Sequence, residues 1–563
     1  MKVALVLAFM AAAAVQAKVS VSVLRALETK DASDIIVYYD KVDVESITNS
    51  PVGAEARQAV FNALTAEVAG YESILAESVD TANVVYTSWL GFSIVNNLSS
   101  SAIQKLAANP KVAKIRARFE VKLAEPIVGA SAAVKADTNQ WGIETIGAPA
   151  AWKYFTGKGV VIGSIDTGAA YKHESIKDSW RADKGWFNPY NDSSVFPLPV
   201  DSAQHGTHTI GTMVGTHGIG VAPGAQWISC MGLYKGSGTD VALTKCAEFM
   251  VCPTRIDGTH PECKKGADVI NNSWGSTGDY DDFYEAAVTA WRAAGITPVF
   301  SNGNSGPKCA SVGLPGAYTR VIGVGAIGSY TDTPTQLAFF SSKGPAVAQD
   351  PITNKTVTLI KPDISAPGFF TLSADATNLS GYLKMAGTSM AGPHVAGVVA
   401  LLKSAQSDLT YDEIYGYITK TADRDVLEAE PAQWTKPDGT VIGPGAPNCG
   451  GVSDKAWPNN RYGHGRINVG TILRDGKLND TPTNKPTPVA TPAVTTGAPK
   501  PTPAPTPAVT GEPTTTPCPP LTPKPTAGPT PAPTTEPTTT PCPPLTPKPT
   551  AGPTPAPTTE PTT

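Results

Sequence analysis

Short uninterrupted apolar runs constrain this chain more than any other feature. Val160 to Ile165, Asp268 to Ile270, Thr297 to Phe300 and Val321 to Val324 lack the polar alternation of a half-exposed strand. Runs of this kind read as strands buried on both faces, the habit of a parallel sheet held between helices. Helical segments alternate with them, and Pro393 to Ser404 is a long apolar helix candidate. The expected fold class over residues 137–477 is therefore α/β, with a mainly parallel central sheet flanked by helices.

The two ends read differently. Met1-Lys2 is a short basic start, Val3 to Val15 is apolar, and Val15-Gln16-Ala17 offers small residues for cleavage, so residues 1–17 are expected to be a secretory signal peptide. That run is too short to span a membrane. Residues 18–136 read as a small α+β unit in ferredoxin-like βαββαβ order. Its elements are strands at 34–39, 83–95 (two, around Gly91) and 112–123, with helices at 55–75 and 101–108. Residues 478–563 are Pro, Thr and Ala with no aromatic residue, and hold over half of the chain's 52 prolines. Glu512 to Thr535 recurs letter for letter from Glu536 to Thr559. Such sequence buries too little apolar surface to fold, and is expected to be a disordered, O-glycosylated stalk. It reads as a spacer, or as a tether to a cell wall or matrix. The net charge of −4 argues against a nucleic-acid partner, and no later stretch calls for a membrane.

Secretion makes the cysteines readable as disulfides. Cys230, Cys246, Cys252, Cys263, Cys309 and Cys449 form an even set in the central region, which allows about 15 pairings. Asn191, Asn354, Asn378 and Asn479 stand in N-glycosylation sequons; Asn271 does too, but is expected to be buried.

Three motifs carry chemistry. Asp166 closes the first apolar run ahead of Thr167-Gly168, at the sheet edge where open α/β proteins place their sites. An aspartic-protease reading needs a second Asp-Thr-Gly or Asp-Ser-Gly, and the chain has none. His205-Gly206-Thr207-His208 opens a helix with small residues, without the spacing or glutamate of a zinc peptidase. Gly387-Thr388-Ser389-Met390-Ala391-Gly392-Pro393 sets a serine ahead of an apolar helix. Pro393 is expected in the first turn, where a missing N–H costs nothing, with Ser389 at the positive end of the helix dipole. The chain order Asp166, His205, Ser389 differs from the chymotrypsin and α/β-hydrolase orders.

These residues, with Asp268 to Gly275, Lys361 to Gly368 and Gly463 to Asn468, resemble the subtilisin-like serine proteases (subtilases), nearest the bacillopeptidase F group. Gly91-Phe92-Ser93, Leu98-Ser99 and Asn109-Pro110 before Val112 and Ile115 resemble the inhibitory propeptides of that family. The resemblance implies a secreted, extracellular endopeptidase acting on proteins or peptides through an Asp166–His205–Ser389 triad. It implies a self-processing zymogen whose own propeptide inhibits it until cut between Ala130 and Asp137. Asn304 would complete the oxyanion site. Gly236-Ser237-Gly238 and Ser273-Trp274-Gly275 would pair with substrate backbone, and Gly313 would leave the main specificity pocket open to large apolar residues. Gln204 stands where the family often has glycine, and the aromatic-rich insertion Trp180 to Gln204 is expected to shape the cleft. No cofactor is required and no metal ligand is assigned, although the resemblance admits structural calcium.

Overall fold

Seven parallel strands make the main sheet, in the order Ile364–Pro367, Ile322–Ile327, Thr297–Ser301, Val269–Asn272, Val161–Asp166, Gln226–Met231 and Trp186–Phe187. The computed structural model describes residues 17–479 except 45, 48–51, 133–137, 191–195 and 331–332. Most of the expected signal peptide, the stalk from residue 480 with Cys518 and Cys542, and the sequon Asn191 thus lie outside the described residues.

The four apolar runs all fall in this sheet. Every residue of Val269–Asn272, Thr297–Ser301 and Ile322–Ile327 is buried, which is why these strands carry no polar alternation. Three further strands complete it. Gln226–Met231 is buried from Trp227 onward, Ile364–Pro367 is short and ends in proline, and Trp186–Phe187 comes from the aromatic insertion. Helices Thr388–Ala405 and His205–Val214 pack on one side. Helices Asp240–Val251 and Glu285–Ala293 belong to the apolar cluster on the other. Helix Thr388–Ala405 is buried along nearly its whole length, as its all-round apolar sequence requires. Among the described residues no helix is long and apolar enough to cross a membrane.

Three disulfides resolve the pairing: Cys230–Cys246, Cys252–Cys263 and Cys309–Cys449.

The N-terminal residues form an antiparallel sheet in the order Val84–Ser88, Phe92–Ser99, Ala32–Tyr39 and Val112–Ala117. Two of its elements differ from the reading above. The single helix expected at 55–75 is two, Gly53–Thr65 and Val68–Ala76. At the break the Thr65 hydroxyl donates back to the Phe61 carbonyl at 2.7 Å, in competition with the helix's own N–H groups. The last strand ends at Ala117 rather than near 123. Glu120–Lys122 leaves the sheet and pairs antiparallel with Ser237–Thr239 of the main body.

Salt bridges and a buried carboxyl dock this sheet on the main body. Arg118 makes a bidentate pair with Asp240 (2.6 and 2.8 Å), Arg116 pairs with Asp281, and Lys114 with Asp282 at 2.6 Å. Arg57 is buried and donates to the carbonyls of Cys263 (2.9 Å) and Ala267 (3.0 Å). Glu248 accepts from the hydroxyls of Tyr86 and Ser88 and from the Trp89 N–H. Burial pushes the Glu248 carboxyl up to about 7, against those three donors and nearby Lys245.

Candidate active site

The carboxyl edge of the sheet collects the chemistry. Asp166 is the last residue of Val161–Asp166 and is fully buried. Its Oδ1 accepts the Thr167 N–H at 2.7 Å and lies 2.7 Å from His205 Nδ1; its Oδ2 accepts the Thr209 hydroxyl at 3.3 Å. A carboxylate only accepts, so Nδ1 carries the proton and His205 Nε2 presents a lone pair. That nitrogen is buried and has no hydrogen-bond partner.

His205 opens helix His205–Val214, and the residue before it sits in the left-handed region, with Gln204 at φ 66°. Glycine enters that region freely, so Gln204 is a strained choice there. His208 turns away, with Nε2 near the carbonyls of Leu383 (2.9 Å) and Thr371 (3.1 Å). Burial lowers its imidazole to about 3, so it is neutral and separate from His205.

Ser389 lies inside the first turn of helix Thr388–Ala405, and Pro393 follows one turn later rather than in the first turn as expected. A proline inside a helix removes the N–H that would bond the carbonyl four residues earlier, here that of Ser389. The Ser273 hydroxyl supplies the missing donor, at 2.9 Å from Ser389 O. The Ser389 hydroxyl in turn donates to the Ser273 carbonyl at 3.1 Å, not to His205. Ser389 N–H lies among the first amides of the helix, which have no intrahelical acceptor.

Asn304 faces the same helix end. Its Oδ1 accepts both the N–H and the hydroxyl of Thr388, each at 2.8 Å, which fixes the amide so that Nδ2 points the other way. A Cβ at Gly387 would come within 3.3 Å of that Nδ2, so glycine keeps the space clear. Thr388 stood inside the quoted serine motif, yet its role as the clamp on Asn304 shows only in the fold.

Both expected substrate-pairing segments are met by residues 121–123. Leu123 N–H donates to the Gly236 carbonyl at 2.8 Å, Val121 lies opposite Gly238, Lys122 opposite Ser237, and Lys122 also bridges Gly275. Val121 is 1% exposed, whereas Ala124 and Glu125 are open to solvent. The chain then continues as Ile127–Ala132, paired with Tyr382–Ala386, which leads through Gly387 to Ser389. Residues 133–137, within the expected cut zone, lie outside the described residues. The Trp274 ring is buried edge-on to Tyr284 and Phe300. Gly313 packs tightly, since a Cβ there would meet the Ser276 carbonyl at 2.9 Å. From the aromatic insertion, the Tyr190 hydroxyl reaches the carbonyls of Gly232 (2.7 Å) and Ser237 (3.0 Å), bracing the cleft strand from behind. Among the described residues no cluster of three or more His, Cys, Asp or Glu side chains is placed to hold a metal.

Fold and site edge together define a subtilisin-like α/β protein. A profile of the subtilase family matches residues 157–472, and the chain belongs to that family. It is 34% identical to bacillopeptidase F of Bacillus subtilis (strain 168) over 69% of its own length, but spans only 26% of that protein. It is 30% identical to thermitase of Thermoactinomyces vulgaris, over 53% of this chain and 93% of thermitase. Fervidolysin of Fervidobacterium pennivorans shares the fold, with a TM-score of 0.54 at 19% identity, covering 80% of this chain and 62% of fervidolysin.

Proposed function

We propose that this protein is a secreted serine endopeptidase, made as a precursor that cuts itself, with Asp166, His205 and Ser389 as its triad. The observation that carries the reading is the 2.7 Å Asp166–His205 contact, which leaves a lone pair at His205 Nε2 on the edge that also holds Ser389. In this reading the Ser389 hydroxyl turns from the Ser273 carbonyl to that nitrogen. The hydroxyl oxygen then attacks the scissile carbonyl carbon while its proton passes to Nε2 and on to the leaving amine. Water reverses the sequence to free the acyl group. Asp166 holds the tautomer and stabilises the imidazolium. The Ser389 N–H and Asn304 Nδ2 receive the charge that develops on the carbonyl oxygen. The test is labelling of Ser389 by a fluorophosphonate in the mature protein, blocked by Ser389→Ala; a mature protein that hydrolyses peptides unlabelled would refute the reading.

Residues 18–124 act as the inhibitory leader, and the bond cut is Ala124–Glu125. The ladder with Gly236–Thr239 ends at Leu123, the second ladder begins at Ile127, and Ser389 follows closely on the strand that supports the second. Past Leu123, Ala124–Glu125 is the bond that joins two residues open to solvent between the ladders, and the bond after it involves Pro126, which lacks an N–H. We expect the released leader to end at Ala124, read by its mass; a leader ending between Ala130 and Asp137 would overturn this register. Cleavage of other substrates is proposed to be broad and to favour large apolar residues before the cut. The leader itself offers small Ala124 there and buries Val121 three places upstream.

Leader binding should weaken as pH rises. Glu248 sits at about 7 in the complex, raised chiefly by burial, against an ordinary 4.5. A group raised in this way favours the complex fully below its ordinary value and loses that contribution as pH rises through about 7. Inhibition of the mature enzyme by added leader is expected to fall by up to about a hundredfold between pH 5 and 8. A flat profile, or tighter binding at pH 8, would count against the role of Glu248.

A further inference from the structure

Asp201 stands four residues ahead of His205 and bonds to both elements that carry the acid–imidazole pair. Its Oδ1 accepts the Thr167 hydroxyl at 2.7 Å and the Ala203 N–H at 3.1 Å. Its Oδ2 accepts the Thr207 N–H at 2.8 Å and the Thr207 hydroxyl at 2.6 Å. Thr167 directly follows Asp166, and Thr207 lies on the helix that His205 opens.

The two hydroxyls form a reciprocal stitch. Thr167 Oγ1, on the acid's loop, accepts the Gly206 N–H of the histidine's helix at 2.9 Å. Thr207 Oγ1, on that helix, accepts the Ala170 N–H of the acid's loop at 2.8 Å. Each hydroxyl has one proton, and a carboxylate accepts only, so Asp201 takes both protons and turns both lone pairs toward the amides. The contact is close throughout. A Cβ at Gly206 would fall 2.1 Å from the Gly168 carbonyl, and Ser202 N–H donates to Thr167 O at 2.9 Å.

We propose that Asp201 is a positioning residue for the proposed catalytic pair, setting the Asp166–His205 geometry through the hydroxyls of Thr167 and Thr207. This rests on the serine-peptidase reading above. Displacements of the order of an ångström at a reacting group cost about a hundredfold in rate, so a device that fixes the register of the pair has kinetic consequences.

Asp201→Asn keeps the shape but leaves one accepting oxygen for two hydroxyls. In the full-length chain allowed to mature, kcat for a peptide substrate is expected to fall about ten- to hundredfold. KM should stay within about twofold, because the strands that pair with substrate are untouched. The rate of Ser389 labelling by a fluorophosphonate should fall in step. Thr167→Val, which keeps the N–H to Asp166, should lower kcat in the same direction. Combined with Asp201→Asn it should cost less than the product of the two losses. A purely structural role predicts a lower melting temperature with kcat unchanged, and that result overturns the proposal. If Asp201→Asn does not mature, Thr167→Val decides, and wild-type kcat in that variant overturns it. A wild-type protein without Ser389-dependent hydrolysis would sink the serine-peptidase reading and this proposal with it, a failure told apart by the silence of the unmodified enzyme.

Discussion

Ser389→Ala should leave the chain whole and inactive. In the precursor, Lys122 and Leu123 are held on Gly275 and Gly236 while residues 127–132 are held on 382–386, so the peptide between them is presented to Ser389. Without the hydroxyl no acyl group can form. Loss of the nucleophile alone removes nearly all that a triad contributes, of the order of 10⁶ in turnover, because its members act as a unit. The measurement is a time course of the purified precursor by mass, together with hydrolysis of a peptide substrate. A variant that sheds residues 18–124 unaided at the wild-type rate would show that Ser389 does not make the cut. The Ser273 hydroxyl remains to satisfy the carbonyl at 389, so the variant should fold as the parent does.

Asn304→Leu is the second large effect. Its amide is anchored by two bonds from Thr388 to Oδ1, and among the described residues Nδ2 has no hydrogen-bond partner, an arrangement suited to a donor waiting for charge. Removing one donor of such a pair costs about 10²–10³ in kcat, with KM little altered, because the lost bond strengthens as the oxyanion forms. Leucine also removes the acceptor for Thr388 N–H, so Asn304→Asp is the control. It keeps that acceptor but places charge where a donor is needed, and should be at least as slow. Comparable kcat in Asn304→Leu and wild type would remove Asn304 from the oxyanion site.

The candidate site was legible because it uses residue types that bland packing does not explain: an acid at the end of an apolar run, and a histidine and a serine each near the start of a helix among small residues. The buried strands were legible for the same reason in reverse, since Val269–Asn272 and Ile322–Ile327 meet no water and carry no alternation. Other features depend on partners distant in sequence. Val112, Ile115 and Val121 continue one apolar pattern, yet the first two face the N-terminal core and the third enters the main body, which no local signal distinguishes. Helix Thr388–Ala405 begins a turn earlier than its apolar run, because its opening residues are small and polar and their burial comes from the surrounding sheet. Ile364–Pro367 holds a sheet edge with a sequence that includes serine and proline. Asp201 and Thr388 act through hydrogen bonds to residues named for other reasons, so their spacing alone says nothing of them.

The Cys309–Cys449 bridge joins residues 140 positions apart and closes a ring that contains Ser389, its helix and the exposed hairpin around Ile352. A peptide bond cut anywhere inside that ring yields two strands still joined by sulfur. Damage inflicted by a neighbouring copy at the hairpin therefore releases no fragment, and the nucleophile stays tethered on both sides of the wound.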